Sequence, residues 1–182
     1  MHGQFHIQRA TIYVGDARRE NPPEAALEEP VIKHAKGTAG QQMKMSKRCY
    51  GKTLDTLSRL PPEAGGILLG PKDEPAVITH FVRDEEGVAT PVSFTLSEKT
   101  LNEVIRRFVG CDMDCKGIAH SHPAGLVTPS QGDLAYVKKV FARDMSLDEF
   151  FMPIISERTF YPYVVKGDGR GCKVYRAELV LF

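Results

Sequence analysis

Two histidines and a carboxylate, His120, His122 and Asp133, fall within a stretch of fourteen residues. The imidazoles belong to His120-Ser121-His122-Pro123, directly after the apolar run Gly117-Ile118-Ala119. Side chains two apart on a strand share a face, so both rings can reach one ion. Asp133 closes a second segment, Pro129-Ser130-Gln131-Gly132-Asp133. Two nitrogen donors and one carboxylate oxygen suit a borderline-soft divalent metal such as zinc, and three protein ligands leave the fourth tetrahedral position for water. Hydrolysis at such a position also needs a group to take the proton of water and pass it on. Glu63 is the candidate: it opens Glu63-Ala64-Gly65-Gly66-Ile67-Leu68-Leu69-Gly70, where a carboxylate at the end of a helical stretch is followed by a small, apolar strand. Ser130-x-x-Asp133 after a proline is also how an ordinary helix begins, with Ser130 as N-cap. The two readings are compatible, because a cap fixes Asp133 at the mouth of its helix, facing the histidine strand.

The joint pattern resembles the JAMM metalloprotease family, also called the JAB or MPN domain. That family's signature is a distant Glu, then His-Ser/Thr-His, seven residues, Ser, two residues and Asp. Glu63, His120, Ser121, His122, Ser130 and Asp133 match it at the family spacing, and the Glu-x-x-Gly-x-x-x-Gly form of the first segment is most similar to stand-alone prokaryotic JAB proteins. The resemblance covers about residue 45 to the C-terminus. It implies one catalytic Zn2+ held by His120, His122 and Asp133, with Glu63 as general base and Ser130 donating a hydrogen bond to the oxyanion. The implied reaction is hydrolysis of the peptide or isopeptide bond after the C-terminal tail of ubiquitin, a ubiquitin-like protein or a sulfur-carrier protein, in a pathway with activating and conjugating enzymes as further partners. The tail would bind extended beside the 82–92 region, whose Asp84, Glu85 and Glu86 suit a basic tail, or are equally a solvated turn. Two alternatives remain: a RadC-like, DNA-associated JAB protein, from which the His-Ser-His form and near-neutral charge tilt away, and a non-catalytic MPN scaffold, which would characteristically lack ligands that this chain keeps.

The positioning elements follow from periodicity. Ser46 is placed to cap a helix running to about Leu60, since Tyr50, Leu54 and Leu57 recur at helical spacing and Pro61-Pro62 ends it. Strands are expected at 66–69 and 76–82 around the turn Pro71-Lys72-Asp73-Glu74-Pro75, followed by a charged loop. Thr95 and Glu98 form a capping-box pattern before the stripe Leu101, Val104, Ile105, Phe108 and Val109, which leads to the histidine strand. Leu134, Val137 and Phe141 continue a helix after Asp133, and strand-like segments cover 150–156, 160–166 and 172–181. The pattern is mixed α/β or α+β, and the resemblance narrows it to a curved, mainly antiparallel sheet flanked by helices, the JAB/MPN (cytidine-deaminase-like) fold. Residues 44–182 are read as that domain. Residues 1–43, with a strand pattern at 5–14 and a Pro/Glu-rich connector at 21–30, are read as an extension, a hairpin or partner-binding arm.

Composition bounds the rest. The 182 residues carry 42% hydrophobic and 26% charged side chains, ordinary for one globular domain with a real core. A net charge of +1 argues against a nucleic-acid surface. With no apolar run of membrane-spanning length and no signal-peptide pattern in Met1-His2-Gly3-Gln4, the expectation is a cytoplasmic protein with no membrane partner. Cys111 and Cys115 lack Cys-x-x-Cys spacing and Cys49 and Cys172 are isolated, so neither a second metal site nor a thiol nucleophile is expected.

Overall fold

A computed structural model describes residues 40–182 except 61–62, 91–92, 144–146 and 168–170. The expected strand within 5–14 and connector at 21–30 lie outside the described residues. In chain order the elements are β1 (Gln42–Met45), α1 (Lys47–Arg59), β2 (Gly65–Pro71), β3 (Val77–Ile78), β4 (His80–Arg83), β5 (Val88–Thr90), β6 (Ser93–Thr95) and α2 (Glu98–Phe108). A 3₁₀ turn at Val109–Cys111 precedes β7 (Met113–Ser121), and α3 (Gln131–Arg143) follows it. The chain then runs through β8 (Glu149–Phe151), β9 (Ile154–Ser156), β10 (Thr159–Tyr161), β11 (Tyr163–Gly167), β12 (Cys172–Arg176) and β13 (Glu178–Leu181).

The fold is mixed α+β around one mainly antiparallel, unclosed sheet. Its axis is β7, paired antiparallel with β2 from Gly65↔His120 to Pro71↔Met113, with β4 beyond β2. The opposite edge of β7 is shared in tandem: β8 joins it at Gly117↔Phe151, and β9 at His120↔Ile154 and Ser121↔Ile155, both in parallel. Gly117 permits this fork. It sits at φ +156°, and a Cβ there would run into the Phe151 carbonyl, so no larger residue lets β8 approach so closely. A three-stranded parallel sheet, β13-β1-β3, and a separate β5–β6 ribbon complete the strands.

Period-two alternation along β7 divides the core. Ala119 faces a cluster with Cys49 and Leu57 of α1, while Ile118 faces one with Leu101 and Val104 of α2 and Leu134 and Val137 of α3. Helix α1 begins as expected: the Ser46 hydroxyl accepts the Cys49 amide at 3.2 Å. At α2 the cap is Ser97 rather than Thr95, its Oγ accepting the Thr100 amide at 3.3 Å. Thr95 is instead the last residue of β6, paired with Val88. Each long C-terminal strand pattern resolves into two short strands, broken at Pro153, Pro162 and Ala177. Proline has no amide to give a ladder, and at the first two breaks the chain changes pairing partner or position without reversing direction. Likewise 76–82 divides, β3 pairing with β1 and β4 with β2. Among the described residues no helix is long and apolar enough to cross a membrane.

Candidate metal centre

Four elements bring their ends to one edge of the sheet. Strand β7 finishes at Ser121, and antiparallel β2 starts two residues after Glu63, so Glu63 lies beside the end of the histidine strand. Parallel β9 finishes at the same edge, and α3 starts there with Asp133 in its first turn. Hydrogen bonds pin the strand end: the His122 amide donates to the Ile155 carbonyl at 2.9 Å, and the Ser156 hydroxyl to the Pro123 carbonyl at 3.0 Å.

His120 and His122 are 1% and 6% exposed. Their Nε2 atoms stand 2.9 Å apart, and from Asp133 they lie at 3.1 Å (His120 to Oδ1) and 3.4 Å (His122 to Oδ2). Two ring nitrogens and the two oxygens of a carboxylate converging in a buried space repel one another unless a proton or cation sits among them. Ligand bonds of about 2.0–2.1 Å in a tetrahedron put neighbouring donors about 3.3 Å apart, and the N···N and N···O separations here are already of that size. Both Nδ1 atoms are buried without a hydrogen-bond partner, leaving the Nε2 edges as the ones turned to the cluster. The residues present therefore fit a divalent ion, and among the described residues this is the group of acids, histidines and cysteines that could hold one.

Asp133 is held rigidly by the helix start it also caps. Ser130 Oγ accepts the Asp133 amide at 3.2 Å, and Asp133 Oδ2 accepts the Ser130 amide at 2.6 Å, a reciprocal box that satisfies two otherwise orphaned donors. Burial alone would raise its pKa. Hydrogen bonds from both histidines and from the Ser130 amide outweigh that and hold the carboxyl well below the usual range. The carboxylate is thus charged and available as a ligand.

Glu63 is 7% exposed. Burial pushes its pKa above the ordinary carboxylate value against the opposing pull of His122 and His120. A carboxylate shifted in that direction is better matched to exchanging protons near neutral pH. It is not at a helix end: α1 stops at Arg59, and Glu63 precedes β2. Its position is fixed by Ser121, a motif residue to which the sequence assigns no task. Ser121 Oγ accepts the Ala64 amide at 3.0 Å and donates to the Ala64 carbonyl at 3.3 Å, and the Ser121 amide donates to that same carbonyl at 2.8 Å. The hydroxyl thereby staples the residue next to Glu63 onto the strand carrying the histidines.

The acidic loop is mostly committed elsewhere. Asp84 is buried, its carboxylate accepting the Glu86 amide at 3.1 Å and the Ser97 amide at 2.5 Å, while its own amide donates to the Gly65 carbonyl at 3.0 Å. Glu86 pairs with Lys99 at 2.6 Å. Of the three carboxylates only Glu85 is left to act as surface charge. Phe94 of β6 packs its ring where a side chain on Gly65 would lie, setting the β5–β6 ribbon beside the Glu63 end of β2. None of the four cysteines is joined in a disulfide.

Residues 53–165 match the family model described as prokaryotic homologs of the JAB domain, a span that includes Glu63, both histidines and Asp133. No curated protein matches the chain. Among solved structures, the protein DSY2949 from Desulfitobacterium hafniense is similar with a TM-score of 0.59 at 18% identity, over 78% of this chain and 93% of that one, a likeness of fold. AF2198, a JAB1/MPN domain protein from Archaeoglobus fulgidus, aligns at a TM-score of 0.45 and 20% identity over 79% of this chain and 100% of that one.

Proposed function

The chain belongs to the prokaryotic JAB-domain family, and from that premise we propose that it is a JAMM-type zinc peptidase or isopeptidase cleaving after the C-terminal tail of ubiquitin or a ubiquitin-like, or sulfur-carrier, protein. The observation that carries the reading is the meeting of a complete N, N, O donor triangle with a separate buried carboxylate, Glu63, that is not part of the triangle. Scaffolds need neither.

A zinc ion held by His120, His122 and Asp133 would polarise the scissile carbonyl and make water at its open position acidic. Glu63 then takes the proton from the attacking water and returns it to the departing amine, a role its raised pKa favours. Ser130 supplies the oxyanion contact. Its oxygen already accepts the Asp133 amide, so its hydroxyl proton is free to donate to the oxygen on which charge develops. The substrate tail lies extended along the β5–β6 ribbon, where Val88 is 65% exposed and Phe94 marks the approach to Glu63.

The test is metal content and cleavage on the same preparations. Wild-type protein should hold one zinc per chain and release the C-terminal fusion from a ubiquitin-like protein, and Asp133→Ala should lose both, because two imidazoles alone bind zinc poorly. Full zinc in Asp133→Ala, or a wild-type protein that binds no divalent ion, would end this reading.

A further inference from the structure

The three-stranded parallel sheet ends on β13, whose outer side has no strand beside it among the described residues. Along a strand paired on one side, successive residues turn their backbone groups alternately toward the neighbour and away from it. The Glu178 amide donates to the Gln41 carbonyl at 2.8 Å, the Phe182 amide donates to the Met45 carbonyl at 3.2 Å, and the Phe182 carbonyl accepts the Lys47 amide at 2.9 Å. Residues 178, 180 and 182 therefore face β1. The N–H and C=O groups of Leu179 and Leu181 point outward along the open edge.

Other edge strands of the molecule are guarded. In the larger sheet β12 carries Lys173 and Arg176, β4 carries His80 and Arg83, and β10 is three residues long. Charge and brevity are common protections of an edge against pairing with another chain. Strand β13, Glu178-Leu179-Val180-Leu181, has neither proline nor bulge, and its charge stands at its first residue. Past that charge the edge is apolar, with Leu181 38% and Phe182 55% exposed. Leu179 and Leu181 are in register with the buried Met43 and Met45, so an apolar row crosses the sheet and stops at the open edge.

The two ends of this edge differ in charge. Exposed Glu178 stands at the start, and exposed Lys47, its amide held by Phe182, stands at the finish. Within its own chain Glu178 accepts a 3.4 Å bond from the Gln42 side-chain amide, and neither charge has an ion-pair partner among the described residues. An edge acidic at one end and basic at the other complements itself when turned end for end. We propose that β13 joins two copies of this chain, antiparallel about a twofold axis at Val180, into one continuous sheet. In that register Leu179 lies opposite Leu181 of the second copy, and each such pair exchanges both of its outward backbone hydrogen bonds. Leucines of the two copies meet on the face that carries Met43 and Met45. Glu178 lies opposite Phe182 of the second copy and so reaches the Lys47 beside it. The contact is isologous and closes on itself, so it recruits no third copy. Short strands make a small interface, and the association is therefore concentration-dependent. None of this depends on the peptidase reading.

The experiment is sedimentation of the purified full chain over a hundredfold range of concentration, with amide hydrogen exchange of isotope-labelled protein followed at both ends of that range. The mass should pass from monomer to dimer, and the Leu179 and Leu181 amides should gain protection as it does. The Val180 and Phe182 amides, held by β1, should be protected throughout. Leu181→Pro removes an amide that β1 does not use and should weaken the dimer. Glu178→Lys and Lys47→Glu should each weaken it about tenfold, and the two together should restore it, a result that misfolding cannot imitate. A chain monomeric at every concentration would overturn the proposal. So would a dimer whose Leu179 and Leu181 amides stay unprotected, since it would join through another surface. Protection of those amides in the monomer would also overturn it, showing that residues 1–39 or another part of the same chain covers the edge. Failure of the double reversal to restore association would reject the antiparallel pairing.

Discussion

Replacing Ser121 by alanine isolates the link between the base and the ligands, because the hydroxyl touches neither the metal triangle nor Glu63 itself. It removes two hydrogen bonds to Ala64, one at 3.0 Å from the amide and one at 3.3 Å to the carbonyl. The carbonyl keeps a partner in the Ser121 amide at 2.8 Å, so the net loss is one amide left without an acceptor. Such a group costs about 1–3 kcal/mol, which a domain of about 5–15 kcal/mol total stability survives. Ser121→Ala should therefore fold and hold its zinc, with a lower denaturation midpoint. Activity should suffer more. Displacing a catalytic group by about 1 Å can cost about a hundredfold, and loosening Ala64 moves its neighbour Glu63 by some fraction of that. The expected fall in kcat is about ten- to a hundredfold with KM little changed, and Ser121→Thr, which keeps the hydroxyl, should recover most of it. Single-turnover cleavage, zinc content and urea unfolding on the three proteins decide the matter. Wild-type rates in Ser121→Ala, or a threonine variant as slow as alanine, would show that the staple does not position the base.

Glu63→Gln keeps the shape but cannot carry the proton: zinc and substrate binding should persist while turnover falls at least about a hundredfold, and loss of zinc would instead make Glu63 a ligand or a structural support. Mild alkylation at neutral pH should modify exposed Cys111 and leave cleavage intact, whereas a strong chelator should abolish cleavage; inactivation by alkylation with zinc retained would reopen a thiol mechanism. Burial pushes the Cys49 thiol from 9.0 up to about 11. Between those values the unfolded chain loses a proton that the native state keeps, so stability should drop through that window by up to about 2–3 kcal/mol, and urea unfolding of Cys49→Ala should show an alkaline decline smaller by that amount.

Most of the candidate site was legible because the residues that cluster there are local. His120 and His122 share a strand face by alternation alone, and Ser130 with Asp133 is readable as a helix start whatever else it does. The helices were legible for the same reason, apart from the cap at Ser97, where a serine two residues past Thr95 competed for the role. Strand divisions were harder. Runs such as 172–181 are continuous in hydropathy, yet β12 pairs with β11 while β13 leaves for β1, a choice set by partners far along the chain. Strand β1 itself, Gln42–Met45, is too short to announce itself and exists because β13 and β3 flank it.

The role of Ser121 was hidden by the same non-locality, and this bears on how the site is built. Glu63 and His120 lie 57 residues apart, and only the register Gly65↔His120 brings the carboxylate beside the histidines. Register could in principle slip at the bulge between Leu68 and Leu69, where β7 carries an extra residue. A one-residue slip would carry every side chain of β2 to the opposite face. Just past that bulge on β7, Gly117 lets β8 dock, and at the end of the same strand the Ser121 hydroxyl grips Ala64. The motif serine between the two histidines is thus the last register lock of the strand pair, placed where an error would separate Glu63 from the His120, His122 and Asp133 cluster.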